Sequence, residues 1–175
     1  VEEVNISQDV NIIGPGKDNL SISNSNTSSF ALAVSSADVY ISGLTVKDSY
    51  RGVLGSGAST NLTLDSVKLM DNDNYGVRVN DVSSLTIKNS EALNNDDVGI
   101  DVLGSNFTNS TLTVSIENTT VAGNTTSGNG AGIKLDSGTQ GIINATLRQN
   151  TISGNTAGNN GGGIYVAGSV STSQI

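Results

Sequence analysis

The 175-residue chain contains no cysteine, no histidine and no tryptophan, and only 3% of its residues are aromatic. Without cysteine and histidine it can form neither disulfides nor Cys/His zinc sites. It also cannot carry a cysteine nucleophile or a histidine-based catalytic triad. A core without large rings must consist of small aliphatic side chains. This composition favours a thin, repetitive β architecture over a spherical domain.

Positive charge is scarce as well. The chain has 8 Lys and Arg against 16 Asp and Glu, which gives a formal net charge of −8. Phosphate binding needs clustered cations, whereas the basic residues here are scattered singly, so no nucleic-acid partner is predicted. No apolar run approaches the roughly 20 residues of a membrane-spanning helix, so no membrane span is predicted in this segment.

What the chain does contain is a recurring alternation of aliphatic and polar residues, which is typical of strands. Four segments share it: LTLDSVKLMDN (62–72), LTIKNSEALNN (85–95), VSIENTTVAGN (114–124) and ATLRQNTISGN (145–155). In each segment an Asn follows a matched aliphatic residue eight positions later, and a Gly then opens a further strand signal. The matched aliphatic residues recur at intervals of 23, 29 and 31 residues: Leu64, Ile87, Ile116 and Leu147. The extra residues are predicted to lie in turns.

Self-similarity at this period indicates stacked coils, each contributing three short parallel strands. Aliphatic side chains would fill the interior in two columns: Val53, Val77, Ile100, Ile133 and Ile164, and beside them Val79, Val102, Leu135 and Val166. The matched amides are predicted to form a ladder at one bend: Asn72, Asn95, Asn124 and Asn155. The matched glycines are predicted to supply φ freedom and the absence of a Cβ atom: Gly76, Gly99, Gly132 and Gly163.

Three further stretches carry motifs that are known from other proteins: VNIIGPGKDNLSIS, VYISGLTVKDS and SGNTAGNNGGGIY. Together with the repeats they resemble the right-handed parallel β-helix superfamily, the pectate-lyase-like fold. More narrowly, the chain resembles secreted prokaryotic surface proteins of the polymorphic outer-membrane protein and adhesin type. The resemblance implies an all-β, single-stranded right-handed parallel β-helix, or β-solenoid, of about seven coils with three short strands each.

The same resemblance implies an extracellular or cell-surface location, with the β-helix serving as stalk, adhesin or passenger. The partners it implies are a cell-surface glycan or a host or matrix protein. One β-helix domain is predicted over residues 1–175, as a fragment of a longer protein. The segment starts at Val1 without an evident cap and stops at STSQI, and exposed strand edges invite pairing. Flanking sequence or end-to-end self-association is therefore expected.

One outward column of the predicted sheet carries the candidate site. As the resemblance implies, enzymes of this fold place catalytic groups on an exposed β face across which polysaccharide lies. The carbohydrate-binding candidates are Arg78, Asp101, Lys134 and Tyr165; for an enzyme, the catalytic candidates are Asp101, Asp136, Lys134 and Arg78.

Two kinds of chemistry fit these residues. Strand spacing predicts that Asp101 and Asp136 are diagonal neighbours about 8 Å apart. An inverting glycosidase places its two carboxylates about 6.5–9.5 Å apart. A lyase would use Lys134 or Arg78 as its base. The favoured alternative assigns no catalytic residue, because alternating charges on adjacent coils neutralise one another.

A second candidate is a pair of acidic turns, DNDNYG (71–76) and NNDDVG (94–99). Stacking would place Asp71 and Asp73 next to Asp96 and Asp97, and like charges about 4.8 Å apart repel one another. A Ca²⁺ ion held by these four carboxylates would relieve the repulsion. No cofactor is required, and Ca²⁺ is the candidate ion; the alternative is a set of solvated turn carboxylates.

Taken together, these patterns predict a non-enzymatic extracellular β-helix segment that acts as an adhesin or stalk-like binding module. The principal alternative is a polysaccharide lyase, a glycoside hydrolase or a carbohydrate-binding module that acts on the exposed parallel β face. A third class, the ice-binding solenoids, would need flat arrays of Thr. The outward Thr residues are expected to be too irregular for that class.

Overall fold

The computed structural model describes residues 3–104 and 110–173. Within those ranges the chain consists of strands and turns, so none of it forms a helix that could cross a membrane. Coils 1 to 4 contribute three strands each: β1 (Val4–Ile6), β2 (Val10–Ile13), β3 (Ser21–Ile22); β4 (Phe30–Ser35), β5 (Asp38–Ser42), β6 (Thr45–Lys47); β7 (Arg51–Ser56), β8 (Asn61–Asp65), β9 (Lys68–Met70); and β10 (Val77–Asn80), β11 (Ser84–Lys88), β12 (Glu91–Leu93).

Coils 5 and 6 contain a fourth strand of two residues. Their strands are β13 (Ile100–Leu103), β14 (Thr111–Glu117), β15 (Thr120–Ala122), β16 (Thr125–Thr126); and β17 (Ile133–Asp136), β18 (Ile142–Arg148), β19 (Thr151–Ser153), β20 (Thr156–Ala157). Coil 7 contributes β21 (Ile164–Ala167) and β22 (Val170–Ser173).

Within the three main sheets, each strand that is not terminal pairs in parallel with the strand one coil before it and one coil after it. Sheet A has the order β1-β4-β7-β10-β13-β17-β21, and sheet B has the order β2-β5-β8-β11-β14-β18-β22. Sheet C runs from β3 through β6, β9, β12 and β15 to β19, and the short strands β16 and β20 pair with each other. The predicted parallel β-helix of seven coils is confirmed, with three main strands in each of the first six.

The extra residues of the longer coils do not all lie in turns, so that prediction is only partly right. Strands β14 and β18 have seven residues each, whereas β8 and β11 have five. The lengthening pairs Leu112 with Ile143, and both side chains are buried. The longer strands therefore add an aliphatic pair to the core, which a turn insertion would not do.

The two predicted inward columns are confirmed by the register of sheet A. Val77 pairs with Val53 on one side and Ile100 on the other, and the column continues to Ile133 and Ile164. The parallel column of Val79, Val102, Leu135 and Val166 lies beside it. Its first three members are fully buried, whereas Val166, in the last coil, is 45% exposed, so its predicted place in the core is wrong. Because strand side chains alternate between the two faces, every second residue enters the core. The same alternation leaves the residues between them on the outer surface.

The predicted amide ladder is confirmed atom by atom. The Nδ2 atoms of Asn72, Asn95 and Asn124 each donate to the Oδ1 atom of the next ladder residue, at 2.9, 2.8 and 2.9 Å. Each Oδ1 atom also accepts the backbone N–H of the preceding ladder residue. Asn155 is the last residue of the ladder. The ladder fixes how consecutive coils stack at the bend that leads from sheet C to sheet A.

Towards the N-terminus the ladder continues with a residue that the sequence alignment missed. The backbone N–H of Ser49 donates to Asn72 Oδ1 at 3.3 Å, and the N–H of Asn24 donates to Ser49 Oγ at 2.8 Å. A serine hydroxyl therefore replaces the amide in coil 2. The ladder thus spans six coils instead of four.

Of the two roles predicted for the matched glycines, the absence of a Cβ atom is confirmed and the φ freedom is wrong. None of Gly76, Gly99 and Gly132 lies in the left-handed region, so φ freedom is not their role. A Cβ atom on Gly76 would lie 2.6 Å from the carbonyl oxygen of Gly99 and 3.0 Å from Asn95 Nδ2. The absence of Cβ lets consecutive coils and the amide ladder approach each other closely.

Replacing Gly76 with Ala is therefore expected to lower the free energy of unfolding by about 1–3 kcal/mol, the usual cost of overpacking. The matched control is Gly128→Ala, because a Cβ atom there would meet only Thr126 Oγ1 at an ordinary 3.6 Å. That control should change stability by no more than about 0.5 kcal/mol. Urea unfolding followed by circular dichroism measures both. Equal effects in the two variants would contradict the close-approach explanation.

Candidate functional site

The candidate site lies on the outer face of sheet A. Arg78 pairs with Leu54 and Asp101, Asp101 pairs with Lys134, and Lys134 pairs with Tyr165. These five residues form one straight column along five coils, which we call the sheet A column. The predicted alignment of the candidate residues is confirmed by this register.

Four turn segments border this column, and we call them the turn shelf: residues 71–76, 94–99, 123–132 and 154–163. Their contacts show that the shelf packs against the column. A Cβ atom on Gly130 would lie 2.8 Å from the Cβ atoms of both Lys134 and Tyr165. The guanidinium of Arg78 lies 4.6 Å from the centre of the Tyr75 ring, a cation–π contact. The column is therefore sheltered on one side and is not a fully open face.

The central residue of the column, Asp101, is only 2% exposed. The prediction that it faces solvent is wrong, because neighbouring side chains and the turn shelf enclose it. Its Oδ2 atom lies 3.6 Å from Arg78 Nε, and its Oδ1 atom lies 3.8 Å from Lys134 Nζ. Within the described residues Oδ1 has no hydrogen-bond partner. The carboxylate is held between two cations that balance its charge without hydrogen-bonding to it.

Burial controls the ionisation of this site. Burial raises the pKa of Asp101 above its ordinary value, and the charges of Lys134 and Arg78 only partly offset this effect. The nearby carboxylates of Asp97 and Asp136 raise the pKa of Asp101 further. Burial also raises the pKa of the Tyr75 hydroxyl. The column therefore contains a carboxyl group that protonates more readily than an exposed aspartate.

Asp136 stands where the sequence predicted it. It pairs with Leu103, two positions beyond the Asp101–Lys134 pair, so strand geometry places it diagonally from Asp101 at about 8 Å. Its Oδ1 atom accepts a hydrogen bond from the backbone N–H of Gly138 at 3.0 Å. Asp136 thus helps to shape the turn after β17. Its carboxylate has a structural task that requires no substrate.

The side chains that can meet a ligand are the ones flanking Asp101. The side chains of Arg78 and Lys134 are 27% and 24% exposed, and Tyr165 is also half-buried. Arg78 further donates from Nε to Asn80 Oδ1 at 3.4 Å. Two partly accessible cations and one aromatic hydroxyl therefore line the column. This arrangement suits an anionic, hydroxyl-bearing ligand laid along the coils.

Sequence reasoning missed two members of this region, Arg51 and Asn74, and did not include Tyr75 among the candidate site residues. Arg51 stacks on the rings of Phe30 and Tyr50, at 5.3 and 4.8 Å from their centres. Arg51 Nε and Asn74 Oδ1 are buried without a hydrogen-bond partner in the described residues, like Asp101 Oδ1. Buried polar atoms without partners are rare. The signal available in the sequence was position: Tyr75 directly precedes the matched Gly76, and Arg51 directly precedes Gly52, which stands in the same place before Val53.

The acidic turns stack as predicted, but their carboxylates do not converge. Asp71 adopts a left-handed backbone with φ of 52°, and Asp71, Asp73 and Asp96 are exposed. Asp97 is half-buried, and its charge acts on Asp101. In the part of the chain that the structure describes, no three acidic side chains lie close enough together to hold a metal ion. The calcium site formed by these four residues stays a prediction.

A groove of about 310 Å³ lies on sheet C, where the segment 14–20 folds over the strands. Two of its lysines are already paired with carboxylates. The Nζ atom of Lys68 lies 2.9 Å from a carboxylate oxygen of Asp18 and 3.6 Å from one of Glu91, and Glu91 also pairs with Lys17. The hydrogen bond from Lys68 lowers the pKa of Asp18. These pairs hold the segment against the sheet. The groove therefore offers less free charge than the sheet A column.

Comparison with known proteins agrees with this geometry. A family model described as the right-handed β-helix region matches residues 10–175, which is nearly the whole chain. Searches of curated proteins and of solved structures gave no match. The family model and the seven stacked parallel coils lead to the same assignment. The chain belongs to the right-handed β-helix family.

Proposed function

We propose that the chain is a non-enzymatic segment of an extracellular or cell-surface protein, in which the β-helix acts as a rigid stalk and binding module. The observation that carries this proposal is the enclosure of Asp101, which is 2% exposed between Arg78 and Lys134. A catalytic acid or base must reach the proton that it transfers. An enclosed, charge-balanced carboxylate supports a structural role.

The ligand we propose for the sheet A column is an anionic cell-surface glycan; a host or matrix protein is the other partner class. Arg78 and Lys134 would bind acidic groups, and Tyr165 would contact a sugar ring or hydroxyl. Asp101 would act through these residues, because its charge holds the two cations in place. The half-buried state of Arg78, Lys134 and Tyr165 supports this division of roles.

A second candidate function is a polysaccharide lyase or glycoside hydrolase that uses the same face. Burial raises the pKa of Asp101, as a general acid requires. Its diagonal separation from Asp136, about 8 Å, falls in the range of inverting glycosidases. For a lyase, Lys134 or Arg78 would serve as the base. This alternative requires the turn shelf to open and expose Asp101.

One experiment tests both candidates. The purified chain is incubated with polygalacturonate and, separately, with hyaluronate, and both binding and the release of reducing or unsaturated ends are measured. We expect binding without turnover, and at least tenfold weaker binding for Lys134→Ala. Lys47→Ala is the matched control, because Lys47 lies on sheet C, away from the column, and its side chain is 40% exposed.

Two outcomes would overturn the leading proposal. Turnover that disappears in Asp101→Asn would establish the enzymatic alternative. Equal binding by the Lys134 and Lys47 variants would remove the sheet A column as the glycan site. Binding to neither polysaccharide would argue against an acidic glycan partner.

We also propose end-to-end association of copies. Strands β1 and β21 are the terminal strands of sheet A among the described residues, so each leaves one edge unpaired. Apolar side chains are exposed near both ends, including Ile13 and Val166. Unpaired strand edges flanked by apolar side chains support pairing with another chain.

A further inference from the structure

The outer face of sheet B carries an array of short polar side chains. Strands β8, β11, β14 and β18 pair in register, so that Thr63, Thr86, Ser115 and Thr146 form one column. A second column two residues away contains Asn61, Ser84, Thr113 and Asn144. We call these eight residues the hydroxyl grid. The outward hydroxyls are thus more regular than the sequence analysis expected.

The grid projects outward because the residues between its columns fill the core. In β8, for example, Leu62 and Leu64 are fully buried, whereas Asn61 and Thr63 are half-buried. Thr113 and Asn144 are exposed. The grid therefore repeats once per coil on the outer face of sheet B.

The chemistry of the grid is uniform and uncharged. Hydroxyl and amide side chains both donate and accept hydrogen bonds. Ser84 Oγ donates to Asn61 Oδ1 at 2.6 Å, which shows that residues of adjacent coils come within bonding distance. Protein interfaces are usually anchored by buried aromatic or Arg residues, and the grid has none. The grid thus offers many weak polar contacts and no anchor.

Charges on strands β8, β11, β14 and β18 lie in a separate column at the edge of the grid: Asp65, Lys88, Glu117 and Arg148. One further charge, Asp38 of β5, lies directly beside the grid, where its Oδ1 atom accepts a hydrogen bond from Asn61 Nδ2 at 2.7 Å. The residues of the edge column alternate in sign and pair with one another. Lys88 lies 3.3 Å from Asp65, and Arg148 pairs with Glu117. The hydrogen bonds of Asn89 and Tyr40 to Asp65 add to this self-contained network. The edge column therefore has no net charge of its own, and Asp38 is the charge that borders the grid at its N-terminal side.

The spacing of the grid matches an ordered lattice of water. Coils repeat about every 4.8 Å, and the two columns lie about 6.6 Å apart. Hydrogen-bonded oxygens about 2.75 Å apart in tetrahedral geometry put second neighbours about 4.5 Å apart and give a layer repeat of about 7.3 Å. The mismatch along the axis accumulates to about 0.9 Å over the three steps of the grid, and the column separation differs from the layer repeat by about 0.7 Å.

We propose that the hydroxyl grid binds ice, by extending its hydroxyl and amide groups into the lattice positions of a crystal plane. Neutral groups that both donate and accept can replace lattice waters in either orientation, whereas charged groups would order water differently. The proposal concerns sheet B alone. It is therefore independent of the glycan proposed for sheet A.

The test measures partition of the purified chain into slowly growing ice and inhibition of ice recrystallisation. The wild-type chain is expected to enter ice and to inhibit recrystallisation at a concentration at least tenfold lower than Thr86→Lys. Thr113→Lys is a second grid variant at an exposed position, where folding is not at risk. Thr151→Lys is the matched control, because Thr151 is an exposed strand residue on sheet C. Circular dichroism confirms that each variant is folded.

The control is expected to behave like the wild type. Exclusion of the wild-type chain from ice, or equal activity of Thr113→Lys and the wild type, would overturn the proposal. Binding of the wild type to microcrystalline cellulose without any activity on ice would also overturn it, in favour of a crystalline glycan. Loss of ice activity in Thr151→Lys as well would overturn the assignment to sheet B.

Discussion

Replacing Asn95 with Ala is expected to lower the free energy of unfolding by about 3–6 kcal/mol, because several buried polar groups lose their partners at about 1–3 kcal/mol each. Asn95 Oδ1 accepts from both the backbone N–H and the side chain of Asn72. Asn95 Nδ2 donates to Asn124 Oδ1 and to the carbonyl of Leu69. The four lost contacts lie in the interior, where water cannot replace them without opening the coil.

The matched control is Asn144→Ala, which removes an exposed amide from a strand of sheet B. It should alter stability by no more than about 0.5 kcal/mol. Urea unfolding followed by circular dichroism measures both variants. A cost for Asn95→Ala within 1 kcal/mol of that of the control would show that the ladder contributes little. In that case aliphatic packing alone would hold the coils in register.

The second large effect is expected when the cations around Asp101 are removed. The double variant Arg78→Met and Lys134→Met leaves a buried carboxylate without either counter-charge. At neutral pH we expect a loss of about 3–5 kcal/mol in the free energy of unfolding, the usual cost of breaking a buried ion pair. Removing the two exposed lysines Lys47 and Lys88 in the same way should cost less than about 1 kcal/mol.

The pH dependence of the double variant identifies the cause. The folded-state pKa of Asp101 is raised, so the protonated form contributes stability that is fully present below the unfolded pKa of about 3.9 and is lost as the pH rises through the folded pKa. Without the cations that pKa should rise further. The difference between the double variant and the wild type should therefore shrink on acidification.

Asp101→Asn provides the internal control for this experiment. Adding it to the double variant removes the buried charge and should restore much of the stability at neutral pH. Denaturant unfolding at neutral pH and near the unfolded pKa separates the contributions. The double variant could lose the same stability at both pH values, with none of it restored by Asp101→Asn. In that case lost packing, and not the unbalanced charge, would explain the loss.

The fold could be predicted from the sequence because its determinants repeat. The alternating aliphatic residues around Leu64, Ile87 and Ile116 specify strands, and their recurrence specifies stacking. The recurring Asn residues then locate one bend. A buried amide needs hydrogen-bond partners, and the matching amides of the coils before and after it supply them. In a β-helix each coil sees nearly the same environment, so one correct alignment fixes the register of the others.

The environment of the candidate site could not be predicted in the same way. The alignment placed Asp101 on the outer face correctly, but its burial depends on the turn shelf, whose conformation does not repeat in the alignment. The sequence also could not show that Gly76 needs no φ freedom, because that follows from its backbone conformation in the stacked coils. Ser49 was missed because a hydroxyl can accept the same backbone hydrogen bond as an amide.

The amide ladder also indicates where the chain tolerates insertions. Between Asn95 and Gly99 the chain uses three residues, and between Asn124 and Gly132 it uses seven, yet the ladder atoms bond in the same way at both levels. Insertions that begin after a ladder Asn and end before the following Gly thus leave the stacking unchanged. Small duplications at these places would therefore lengthen the loops beside sheet A, while each interior amide must stay because it bonds to the next coil.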